Sequence, residues 1–71
     1  MNKAYRSSVT HPRHTFATLD AALEYTQKTF IVQEGSVEHV WARLDTNVRW
    51  AVRKDSITKQ VRNGIRWVNV V

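Results

Sequence analysis

The alternation in Val-Arg-Trp-Ala-Val-Arg, residues 48–53, constrains the fold more than any other feature of this chain. Successive side chains of a strand point to opposite faces, so Val48, Trp50 and Val52 fall on one side and Arg49, Ala51 and Arg53 on the other. The first face needs a cover, and the second needs water. One segment can supply that cover. In FATLDAALEYTQKTF, residues 16–30, Leu19, Ala22, Leu23, Thr26 and Phe30 recur on one helical face. Thr18 is placed to cap the helix, with Phe16 just ahead of it. Asp20 near the start and Lys28 near the end suit the macrodipole, and Glu24–Lys28 is a favourable i,i+4 pair. The β-branched run after Phe30 is expected to leave the helix, and Gly35 to turn the chain.

The remaining segments supply strands. Residues 4–10 alternate, with Tyr5, Ser7 and Val9 on one side, and Pro12 breaks the pattern at HPRH, residues 11–14. Val40, Ala42 and Leu44 share a phase, as do Val48, Trp50 and Val52. Both sets reach one face only if opposing residue numbers sum to an even number. A three-residue loop, Asp45-Thr46-Asn47, achieves this by setting Leu44 against Val48 and Ala42 against Trp50. Residues 55–64 read equally as a helical turn around Ile57 and Val61 or as a strand closing through Asn63-Gly64. Residues 65–71, IRWVNVV, close the chain as a β-branched strand. The expected fold is α+β in one domain, residues 1–71: a helix packed on a three- to four-stranded antiparallel sheet in the order β-α-β-β-β.

A chain of 71 residues without cysteine has a thin core and no covalent staple. Domains of this size bury only about 60% of the surface they expose unfolded. Trp50 is expected in that core, and so is Trp67, in phase with Ile65. Strand pairing then gathers His39, Trp41, Arg43, Arg49, Arg53 and Arg66 on the outer face, with Arg43 opposite Arg49, Trp41 opposite Ala51 and His39 opposite Arg53. The charge agrees. Over residues 1–42 four cations balance four carboxylates, whereas the last 29 residues carry the whole net charge of +5. An aromatic among arginines on a sheet face suits a single nucleic-acid strand, whose phosphates meet the cations while a base stacks on the ring. The same residue types mark protein-binding hot spots, or Trp41 simply packs on arginine stems.

Chemistry is not expected. His11 and His14 are separated by Pro12, His39 stands alone, and no nucleophile–base pair or glycine-rich loop can be read. The expectation is therefore a non-enzymatic protein with no cofactor and no metal. No apolar run approaches the roughly 20 residues of a membrane span, and the first residues do not read as a signal peptide. A cytoplasmic location without membrane contact is the resulting expectation.

The T-L-D-A-A-L helix at 18–23, the R-W-A-V strand at 49–52 and the closing G-I-R-W-V at 64–68 resemble small phage-encoded β-α-β-β-β inhibitors. In particular they resemble an anti-CRISPR family directed at the type I-F surveillance complex, and the helix is also similar to small phage inhibitors of host RNA polymerase. The connection at residues 54–64 is longer than in the anti-CRISPR pattern. The resemblance implies a phage protein of host-defence evasion, acting in the host cytoplasm by binding a host protein or ribonucleoprotein complex. The residues themselves allow two alternatives: direct binding of single-stranded or duplex nucleic acid, and a homodimer joined through exposed sheet edges.

Overall fold

A computed structural model describes residues 4–11, 13–30 and 34–70, apart from the Phe30 side chain. The expected break at Pro12, the departure from the helix at residues 31–32 and the final Val71 lie outside the described residues. Five strands form one antiparallel sheet in sequence order: β1 (Tyr5–Ser7), β2 (Glu38–Ala42), β3 (Asp45–Val52), β4 (Ile57–Asn63) and β5 (Arg66–Asn69). The α+β class holds. The sheet has five strands where three to four were expected, because residues 57–63 form a strand and not a helical turn.

Between β1 and β2 the chain forms α1 (Leu19–Tyr25), continued by one wider π turn over Thr26–Phe30. Thr18 caps α1 as expected, its extended backbone letting the side-chain oxygen accept the Ala21 N–H at 3.2 Å. The Glu24–Lys28 pair forms at 3.2 Å, exposed on both sides. Thr26 marks where the helix widens. Its hydroxyl donates to the Ala22 carbonyl four residues back at 2.8 Å, a back-bond that competes with the helix's own ladder. With that proton committed, the Ser7 hydroxyl donates to Thr26 Oγ1 at 2.5 Å, joining helix to β1 in a buried contact.

The core is as thin as the length implies. Ala22 of α1 meets Val40 of β2 and Val52 of β3, all fully buried, with Tyr5, Phe16, Leu19, Leu23 and Trp50 packed around them. Phe16 also exchanges two backbone hydrogen bonds with Tyr5, 2.8 and 2.9 Å, and so covers part of the outer edge of β1. Trp50 points toward the helix side as expected, but it is only half-buried. It rests edge-on against Tyr5, ring centroids 6.4 Å apart, and carries Lys59 on its other flank at 5.9 Å.

The β2–β3 register differs from expectation. Val40, not Ala42, faces Trp50, and Trp41 faces Arg49. The faces survive because the shift is by one whole pair. A two-residue turn, Arg43-Leu44, joins the strands, and the slack is taken up by a bulge: Ala42 faces Asp45 while its neighbour Trp41 faces Arg49. The Asp45 carboxylate accepts the Asn47 N–H at 3.1 Å, which bends the start of β3. Asp45-Thr46-Asn47 is thus strand and not loop, and Leu44 is 87% exposed instead of facing Val48.

The expected placement of Trp67 is overturned. Asn63 faces Arg66 across a two-residue loop, Gly64-Ile65, and Arg62 faces Trp67. Gly64 has φ +66° and Ile65 a negative φ, the pattern of a type II′ hairpin turn. Ile65 is spent in the turn at 95% exposure, so it sets no phase for Trp67. Even-numbered residues of β5 share the helix side with Trp50, and Trp67 goes to the opposite face.

Replacing Trp50 with alanine is expected to cost about 2–4 kcal/mol in urea unfolding, below the ~3–5 of full burial. Gly64→Ala should cost about 1–2 kcal/mol, because only glycine adopts that φ without strain. Ile65→Thr in the same turn should change stability by less than about 0.5 kcal/mol.

Candidate functional site

The face away from the helix carries no covering element among the described residues. One cross-strand row runs over all five strands: Arg6 faces Trp41, Trp41 faces Arg49, Arg49 faces Gln60 and Gln60 faces Asn69. None of the five is acidic. The centre of the row is organised around Arg49. Its Nε donates to Gln60 Oε1 at 2.7 Å, and the Gln60 amide donates to Asn69 Oδ1 at 2.9 Å. Its guanidinium carbon lies 4.2 Å from the centre of the Trp67 ring. One arginine on β3 thereby ties β4 and β5 together through a charge-assisted hydrogen bond and a cation–π contact. Burial lowers the Arg49 pKa from its ordinary value, yet a guanidinium keeps its charge throughout the usual range.

Beside this row lies an open basin of about 360 Å³, lined by Ser8, His39, Trp41, Thr46, Arg49 and Trp67. Two indoles and one guanidinium give it planar walls, and three small polar groups stand among them. The bulge at the start of β3 carries Thr46 to this basin. Ser8 is held by its neighbours: its hydroxyl donates to Glu38 Oε2 at 2.5 Å and accepts the His39 N–H at 2.9 Å.

Of the six residues expected at the site, the structure brings three together at the basin: His39, Trp41 and Arg49. Arg53 follows β3 in the phase of Arg49 and acts electrostatically on His39. Arg43 sits exposed in the β2–β3 turn, its backbone N–H donating to the Ala4 carbonyl at 2.8 Å. Arg66 is a correction. It pairs with Asn63 on the side of Trp50, because the hairpin at Gly64 sends Trp67 and not Arg66 to the open face. Residues that the sequence reading missed are Arg6, Gln60, Arg62, Asn69, Ser8, Thr46 and above all Trp67. The signal for Trp67 was the glycine at 64, since an even-numbered loop there reverses the side to which position 67 points.

The His39 pKa is lowered from 6.5, chiefly by burial and then by the Arg49 charge, with Glu38 opposing and Arg53 adding to the fall. The imidazole is therefore neutral at pH 7 and can accept as well as donate.

Searches against protein-family models, curated proteins and solved structures found no match to this chain. Among the described residues no cluster of three His, Asp or Glu side chains could hold a metal ion, and no helix is long and apolar enough to cross a membrane.

Because the folded chain holds the His39 proton less tightly than the unfolded chain does, stability is present above pH 6.5 and falls as pH drops through that value. His39→Gln should lose less melting temperature than the unmodified protein between pH 7 and pH 5. Equal losses would show that His39 contributes nothing to this limb.

Proposed function

We propose that this protein is a small non-enzymatic binding module whose open sheet face engages a nucleic-acid strand, as presented by a nucleic-acid-handling complex. The observation that carries the reading is the row Arg6–Trp41–Arg49–Gln60–Asn69 with Trp67 stacked beside it. Antiparallel sheet faces recognise single strands by stacking bases on aromatic rings while cations follow the backbone. The open face carries two indoles, where the sequence reading gave one, and both stand beside the arginine of the row. The amides of Gln60 and Asn69 add donors and acceptors of the kind that read base edges. The charge of the last 29 residues, where all of the +5 lies, supplies the long-range attraction.

A second reading keeps the phage-type inhibitor, with the protein surface of a type I-F surveillance complex as target. It rests on the resemblance of residues 18–23, 49–52 and 64–68, and on tryptophan flanked by arginine being hot-spot composition.

The two readings part on salt. A nucleic-acid contact should weaken linearly in log affinity against log salt, by about 0.7 for each phosphate neutralised on a single strand. Arg53→Glu with Arg62→Glu, both exposed, should flatten that slope by more than about 1.4 and lower the melting temperature only slightly, since Arg62 gives up one exposed hydrogen bond to the Gly64 carbonyl. A salt-resistant complex of defined ratio with purified surveillance complex, and no oligonucleotide binding, would replace the first reading with the second.

A further inference from the structure

On that reading, we infer that the basin is a single-base pocket: one unpaired nucleobase enters beside Trp41 and rests on the Arg49 guanidinium, which Trp67 backs. The basin and the row differ in what they can do. The row is an extended track. The basin is a shallow, open concavity whose 360 Å³ lies near the lower end of the ~300–1,000 Å³ typical of small-ligand sites. That gives room for a planar ring system the size of a base.

The lining fits a base more closely than an aliphatic or purely anionic ligand. The Trp41 indole offers one stacking face, and the Arg49 guanidinium, backed by Trp67, offers a second planar surface. Arg49 has its Nε turned to Gln60 and its guanidinium laid on Trp67, so its terminal amino groups remain for the edge of a base or for its phosphate. The hydroxyl of Thr46 and the neutral imidazole of His39 can each donate or accept, as base recognition requires. Arg6 and Arg53 stand on the same face to hold the flanking phosphates. A base inside a duplex cannot reach such a pocket without leaving its stack. The site therefore selects single strands, or duplexes with an unpaired base, over uninterrupted duplex.

The test compares three fluorescently labelled probes of about eight nucleotides, within the ~4–16-nucleotide footprint of a sheet-face domain. They are oligothymidylate, an abasic strand with the same phosphates, and a blunt duplex. Oligothymidylate should bind at least about 5-fold tighter than the abasic strand, the worth of one stacked base, and tighter than the duplex. Trp41→Ala should remove that difference and leave abasic binding unchanged, and Trp41→Phe should restore part of it. Thr46→Phe fills the basin from an exposed position and should act like Trp41→Ala without disturbing the fold. Equal affinity for strands with and without bases, in the same salt-dependent range, overturns the pocket and leaves the nucleic-acid reading standing. If no probe binds even at low salt, the nucleic-acid reading fails and the pocket with it.

Discussion

The structure depends on one mismatch of dimensions: a single short helix set against five strands. α1 and its π turn together are twelve residues, whereas five strands span about 19 Å between the outer two. The buried contacts of the helix fall on β1, β2 and β3. Its hold is narrow, consisting of Ala22 against Val40 and Val52, and the Ser7 hydroxyl given to Thr26. Trp50 lies at the margin of that cover, which is why it is half-buried. Farther out, Ile57, Val68 and Val70 on the helix side remain exposed.

A sheet so sparsely covered needs other means to hold β4 and β5, and the open face provides them. Arg49 joins β3 to Gln60 of β4 and stacks on Trp67 of β5, so the polar face is tied together side chain to side chain. The same contacts hold the indole and the guanidinium in place before any partner arrives. A side chain already fixed in its binding geometry loses less freedom on association, which is the advantage of preorganisation. Stability and recognition here draw on one set of residues. This is also why Arg53 and Arg62, exposed and outside that network, are cleaner probes of charge than Arg49 itself.

Much of the site was legible because strand period alone decides which neighbours share a face. His39, Trp41 and Arg49 came together even though the expected register was one pair out, since a shift of two residues in the pairing sum preserves the face. Trp67 and Arg66 were exchanged for the complementary reason. Period two in residues 65–71 admits either phase, and only the loop at Gly64-Ile65 selects one. Arg6, Gln60 and Asn69 could not be singled out from the sequence. Each is an ordinary polar residue in its own strand, and only lateral pairing places it in a row with Trp41.

The sequence by itself determined the helix, its Thr18 cap, the inward side of Trp50 and the concentration of charge in the C-terminal half. These follow from local periodicity and composition, which act over a few residues. Tertiary structure alone decided the fifth strand, the bulge that brings Thr46 to the basin, and the face of Trp67. Those depend on which strands pair and through loops of what length, and side-chain phase passes from one strand to the next only through such pairings.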